Sequence, residues 1–202
     1  EKNLTFAAVL GADTFPIGFP LKVPHSAALD AVHATGESAD GRSFAILNPG
    51  ASWPNKRWPP ERFGAVGQWL NRELGLRSVV TWGIGERALA AAVVAESAGS
   101  AELAPATSIA DLAAIVREAE LVISGDTGPA HLAAALGTPV VGLYGPTDII
   151  RNGPWAQHDF SVSRFVACGC HYRRRCRIRQ WCLGDIKVAD VTDAIGRRFH
   201  GS

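Results

Sequence analysis

The chain has 202 residues, 47% of them hydrophobic, enough to bury one substantial core, so one globular unit is the natural reading. Twenty basic residues are balanced by 19 acidic ones, which excludes a global attraction to nucleic acid. No apolar run reaches about eighteen residues and no charged segment precedes an apolar one at the start, so neither a membrane span nor a secretory leader is expected. The sequence begins at Glu1 and contains no methionine, and it reads as a piece of a longer protein, with a mature chain that has lost its start methionine as the alternative.

Residues 1–42 carry turn signals (Pro16, Gly18, Pro20, Pro24) and one stretch of helical character, 26–34. From Ser43 the text becomes regular. Phe44 to Leu47 is a short apolar run closed by Asn48-Pro-Gly, a buried strand ending in a turn. Pro60 stands where a helix starts, Phe63, Val66, Leu70 and Leu74 repeat at helical spacing, and Gly75 stops it. A strand over 78–82, an Ala-rich helix to about 97 and a short segment near Leu103 follow. Ser108, with Asp111 three residues on, is the expected cap of a helix burying Leu112, Ile115 and Val116. Strands over 121–124 and 139–144, a helix over 129–136 and a closing amphipathic helix over 188–199 complete the pattern. Apolar strands alternating with helices predict a Rossmann-like, doubly wound α/β domain whose ligands bind at the carboxyl ends of the strands.

Three strand-to-helix loops then share one edge. The first, Asn48-Pro-Gly-Ala-Ser-Trp-Pro-Asn-Lys-Arg-Trp58, puts Lys56 near Ser52 and free amides, a combination able to hold a phosphate, although a solvated loop over packed tryptophans fits the composition equally. The second, Ser124-Gly-Asp-Thr-Gly-Pro-Ala-His131, delivers a helix amino end, which attracts an anion. Asp126 would repel that anion unless it caps the helix or bonds a sugar hydroxyl. His131 lies on the first turn and can point back at the same ligand. The third loop, Gly145-Pro-Thr-Asp148, reads by itself as a plain turn. Gly83-Ile-Gly-Glu-Arg-Ala88 matches a dinucleotide fingerprint, with Glu102 near the spacing of a ribose-binding acid. It follows the second strand of the regular region and places Glu86 inside the phosphate turn, so a dinucleotide site is not expected there.

Together, Asn48-Pro-Gly-Ala-Ser52 with Lys56-Arg-Trp-Pro59, then Ser124-Gly-Asp-Thr-Gly-Pro-Ala-His-Leu-Ala-Ala-Ala-Leu-Gly-Thr-Pro139, then Tyr144-Gly-Pro-Thr-Asp148 resemble glycosyltransferase family 9, the family of the ADP-heptose:lipopolysaccharide heptosyltransferases. The resemblance covers about residues 43 to 195. It implies a GT-B enzyme with two Rossmann-like lobes, inverting and without a catalytic metal or other cofactor. Residues 43–202 would be the C-terminal, nucleotide-sugar-binding lobe, and 1–42 the end of the first lobe and the interlobe linker. By the family pattern, Ser52 and Lys56 match donor-phosphate contacts, Glu86 an acid near the nucleoside, and Thr107 and Ser108 a segment beside the adenine. Asp126, Thr127, Gly128 and His131 match the diphosphate and sugar site. Ala130 and Trp53 depart from the pattern, which touches donor-sugar identity more than nucleotide binding.

The general base is expected in the N-terminal lobe, and no aspartate of this chain matches it. The implied partners are an ADP-sugar, that lobe and an anionic glycolipid, in the cytoplasm or peripherally on the inner face of the bacterial inner membrane. A nucleotide-sugar epimerase and a non-catalytic nucleotide-binding module are the alternatives.

All four cysteines, Cys168, Cys170, Cys176 and Cys182, fall in one stretch with His171. A structural metal, disulfides and free thiols are all compatible with it, and the spacing lacks the paired CxxC of a zinc knuckle. The loop is expected to lie apart from the donor loops. Arg164, Arg173, Arg174, Arg175, Arg177 and Arg179 gather charge in the same region, a patch for an anionic acceptor or a solvated face.

Overall fold

A computed structural model of the chain describes residues 2–13, 18–35, 43–154, 156, 159–176 and 182–200. Pro16, Arg177 and Arg179 lie outside the described residues. Six strands form one parallel sheet: β1 (Phe44–Asn48), β2 (Arg77–Val80), β3 (Ala101–Leu103), β4 (Leu121–Gly125), β5 (Val140–Tyr144) and β6 (Phe160–Ser163), in the order β3-β2-β1-β4-β5-β6. The helices are α1 (Lys2–Val9), α2 (Ala27–Ala34), α3 (Pro60–Leu74), α4 (Arg87–Glu96), α5 (Ile109–Glu118), α6 (Gly128–Leu136), α7 (Ile149–Asn152) and α8 (Val188–His200).

Strands β1, β4 and β5 are buried at every residue because both faces of the sheet are covered. Ala45, Leu47, Ile123 and Leu143 pack with α3, α4 and α8 on one face; Phe44, Ile46 and Val122 pack with α2, α5 and α6 on the other. Each large side chain so buried contributes about 1.5–3 kcal/mol. Gly75 ends α3 in the left-handed conformation at φ 66°, the stop its sequence predicts. Helix α2, inside the stretch expected to be a linker, is fastened to the domain. Val32 joins the core, Ser26 Oγ donates to Asp111 Oδ1 at 2.7 Å, and Arg77 donates to the Val32 carbonyl.

Some elements differ from the sequence expectation. The strand expected over 78–82 is Arg77–Val80, since the Thr81 side chain turns to Asn48 and the Trp82 indole donates to the Ala104 carbonyl. The segment near Leu103 is an edge strand. Helices α1 and α7 and strand β6 carry no pattern long enough to announce them; Phe-Ser-Val-Ser is a four-residue edge strand with one buried residue. Among the described residues no helix is long and apolar enough to cross a membrane.

Candidate functional site

The strand order reverses between β1, whose chain goes on to β2, and β4, which lies on its other side. A crevice opens at such a switch point, outside the carboxyl ends of the two strands. The loops reaching it are those carrying Ser52 and Lys56 after β1 and Asp126 to His131 after β4. Sequence and topology therefore select the same place.

Asn48, the last residue of β1, ties these loops together. Its buried Nδ2 donates to Ser124 Oγ at 3.0 Å, to Thr127 Oγ1 at 3.2 Å and to the Gly50 carbonyl, while its Oδ1 accepts from Thr81 Oγ1. Thr127 is the N-cap of α6 by position, but its hydroxyl is engaged with Asn48 and Ser124 and makes no cap bond. Pro129 has no amide hydrogen. The first amides of α6 are thus left without a side-chain cap, at the end of a helix that carries about half a positive charge.

Beside that helix end stands an ion pair. Lys56 Nζ lies 2.6 Å from Asp126 Oδ2, with side-chain exposures of 13% and 4%. His131 Nε2 is 3.3 Å from Asp126 Oδ1, Asn152 Nδ2 donates to Oδ2 at 3.3 Å, and the Thr147 hydroxyl faces the same carboxylate. Burial by itself would raise the pKa of Asp126. The contacts with His131, Lys56 and Thr147 and the charge of Lys56 outweigh it and hold the carboxyl well below the usual carboxylate range. The aspartate is therefore a charge-neutralised partner of Lys56 and no cap of α6. Lys56 also lies over the Trp53 ring at 4.4 Å, and Arg174 covers that ring at 5.9 Å.

The remaining expected residues spread along the same edge. Ser52 is exposed in the β1 loop. Glu86 sits in the turn after β2, where its Oε2 accepts from the Gly83 amide at 3.2 Å and its Oε1 lies 3.6 Å from Arg57. That carboxylate fills the place a phosphate would take in a dinucleotide fingerprint, and it abuts Gly50, where any Cβ would collide with it. Thr107 and Ser108 follow β3, two strands from β1. The Ser108 hydroxyl caps α5 in a reciprocal box with Asp111, so its bonding capacity serves the helix. From Ser108 to Thr147 the edge crosses four strand spacings, about 19 Å.

Two expectations are corrected. The Gly145-Pro-Thr-Asp148 loop is more than a turn: through Thr147 and α7 it reaches Asp126. The cysteine loop does not lie apart from the crevice loops. Asn55, next to Lys56, donates to the Arg173 carbonyl at 2.7 Å and to Cys176 Sγ at 3.8 Å, the Tyr172 amide donates to the Pro146 carbonyl, and Cys182 packs under Gly145. Cys168, Cys170 and Cys182 form a buried cluster with Cys176 against it, and none is in a disulfide. Burial and the neighbouring sulfurs push the Cys176 and Cys182 thiols up, so both are protonated at neutral pH. Among the described residues no group of three or more His, Cys, Asp and Glu side chains is arranged to hold a metal ion. In the arginine patch, Arg164 is paired with Asp190 at 2.6 Å, whereas Arg173, Arg174 and Arg175 are exposed. Asn48 and Arg57 stood inside the motifs that carry the resemblance but were given no role, and Asn152 was not marked by the sequence at all.

The family model of glycosyltransferase family 9 (heptosyltransferase) matches residues 4–182. Lipopolysaccharide heptosyltransferase 3 of Escherichia coli is 30% identical over 164 residues, which are 78% of this chain and 47% of that protein. A glycosyl transferase family 9 crystal structure from Veillonella parvula superposes with a TM-score of 0.80 at 24% identity, covering 98% of this chain and 59% of that one. The E. coli heptosyltransferase WaaC with ADP-2-deoxy-2-fluoro heptose superposes with a TM-score of 0.63 at 25% identity, over 95% of this chain and 53% of that one. The chain spans about half or less of the length of the curated relatives it matches. With the family match running through all three loops of the crevice, the chain belongs to glycosyltransferase family 9.

Proposed function

We propose that this chain is the donor-binding, C-terminal lobe of an inverting GT-B heptosyltransferase that moves heptose from ADP-heptose to a lipopolysaccharide core or related acceptor. The observation that carries the reading is the uncapped amino end of α6 beside Lys56, Asp126 and His131 at the switch point. The family relative named for lipopolysaccharide heptosyl transfer and the likeness to a structure holding an ADP-heptose analogue support it.

In this reading the diphosphate lies on the α6 amides and Lys56, with Ser52 beside them. The nucleoside runs toward Glu86, Thr107 and Ser108, and the sugar faces His131 and Asp126. Negative charge growing on the departing nucleoside diphosphate is met by Lys56 and the helix end, preorganised donors that suffice without a metal ion or cofactor. The acceptor hydroxyl and its general base come from the N-terminal lobe. Holding acceptor and base on the donor contributes several kcal/mol, so transfer needs both lobes. The exposed Arg173, Arg174 and Arg175 suit an anionic glycolipid acceptor at the inner face of the bacterial inner membrane, with the enzyme itself in the cytoplasm.

Calorimetric titration of the purified chain with ADP and ADP-heptose, in the presence of chelator, tests the donor site. The expected affinity is roughly micromolar to millimolar, since half the cleft is open. Transfer to Kdo-bearing lipid A should require the full-length protein. A folded chain that binds neither ligand refutes the reading.

A further inference from the structure

Two donors meet on one oxygen of Asp126. Lys56 Nζ reaches Oδ2 from the β1 loop, and Asn152 Nδ2 reaches the same atom from the end of α7. The placement of Asn152 is built into the fold. Tyr144 Oη donates to its carbonyl at 3.1 Å, its amide donates to the Asp148 carbonyl at 2.8 Å, and Asp148 caps the helix by accepting from the Ile150 amide. Gly153 lies against the Ile149 carbonyl, closer than any Cβ could come. The orientation of the amide is also determined. Turned over, it would set Oδ1 against a carboxylate oxygen, and in the observed orientation Oδ1 is buried with no hydrogen-bond partner among the described residues. Donation to Asp126 is what that side chain does.

A difficulty in the donor site explains why a second donor is there. Without ligand, the charge of Lys56 is already matched by Asp126. A diphosphate on the end of α6 draws on the same ammonium. As Lys56 moves toward phosphate, a carboxylate with 4% of its side chain exposed loses its shortest partner. A buried carboxylate stripped of partners takes up a proton. We propose that Asn152 is a positioning residue, whose amide keeps Asp126 in place and ionised when the donor phosphate claims Lys56. This rests on reading the crevice as an ADP-sugar site.

Three other groups face the carboxylate: His131 from α6, the Thr147 hydroxyl, and the Tyr144 phenol, which burial keeps neutral. His131 lies against Oδ1 and the Tyr144 phenol donates to the Asn152 carbonyl, whereas Lys56 and Asn152 both donate to Oδ2, and Asn152 brings no charge to compete for the phosphate.

The test is calorimetric titration with ADP-heptose, whose diphosphate diester does not titrate near neutrality, at about pH 5.5 and about pH 8, in buffers of different ionisation heat. Asn152→Asp keeps the shape and replaces the donor by an acceptor; Asn152→Ala removes the group. His131 is common to wild type and variants, so the difference between them is the readout. Asn152→Asp should bind about tenfold more weakly than wild type at about pH 8, with the gap narrowing to about twofold at about pH 5.5 and with extra proton uptake on binding. Asn152→Ala should fall between them. In an Asp126→Asn background, Asn152→Asp should lose its pH-dependent effect, which separates the proposal from a general loss of folding. Parallel pH profiles for wild type and Asn152→Asp overturn the proposal while leaving the donor site standing. Failure of the wild type to bind ADP-heptose overturns both.

Discussion

The crevice at β1 and β4 and the cysteine loop behind it are both dense in reactive side chains, yet they handle them in opposite ways. In the crevice, charge is kept: Asp126 stays ionised although buried, and the α6 amides are left without a cap. In the cysteine loop charge is suppressed, because burial and neighbouring sulfurs hold Cys176 and Cys182 as thiols. A fold spends stability on an uncapped helix end or a buried ion pair only where other elements over-determine it. The contrast agrees with the proposed donor site in the first region, and the second is braced on the β1 and β5 loops through Asn55 and Gly145.

Replacing Lys56 tests the charged half of this contrast most severely. Lys56→Ala should cost about 2–4 kcal/mol of stability, because Asp126 is left buried with weaker partners, and about 1–3 kcal/mol of ADP affinity. The folded pKa of Asp126 is depressed, so its contribution is fully present above about pH 4 and is lost as pH falls below that. In the variant that depression shrinks, and the stability gap to wild type should close as acid is added. Urea unfolding at several pH values, with calorimetry at neutral pH, measures both effects. A pH-independent gap would show that the pair is not what Lys56 contributes.

The bracing is tested at Asn55. Asn55→Ala removes the bonds to Arg173 and Cys176 without touching a cysteine, and ADP-heptose affinity should fall about three- to tenfold with about 1–2 kcal/mol of stability. Unchanged affinity would mean that the two regions are merely adjacent. His131→Ala should weaken ADP-heptose about fivefold and ADP by less, as expected for a group on the sugar side; equal losses in paired titrations would move His131 to the phosphates. Smallest of all for binding is Ser108→Ala. Loss of the α5 cap should cost about 1 kcal/mol in thermal unfolding and leave ADP affinity within about twofold. A larger fall would return that hydroxyl to the nucleotide.

Much of the fold was legible because long apolar periods carry it. Phe44 to Leu47 and Leu121 to Ile123 are unbroken apolar runs closed by turn residues, the form of interior strands, and Pro60 with Gly75 bracketed α3 within a residue. Helix α7 and strand β6, four residues each, offer no period to read. At the site, Lys56, Asp126 and His131 were recognisable as chemistry in loops, but that Lys56 and Asp126 pair with each other depends on two loops 70 positions apart converging. Asn152 looks like any polar residue near a glycine. The position of the cysteine loop was hidden for a related reason: the chain runs out to β6 at the sheet edge and then folds back over the end of β5, a return that no local spacing encodes.

The Asn48 hub has a consequence for engineering. One amide joins the ends of β1, β2 and β4 through Thr81, Ser124, Thr127 and the Gly50 carbonyl, so those loops share a single interior fastening. A chimera that imports only the β4 loop from a relative with another donor preference would bring new partners to an old amide and strand a buried donor or acceptor, at about 1–3 kcal/mol. The exchangeable unit is the whole set of positions 48, 81, 124 and 127 with the loops they anchor. Libraries that vary the crevice should hold those four fixed and diversify the side chains that point outward from them.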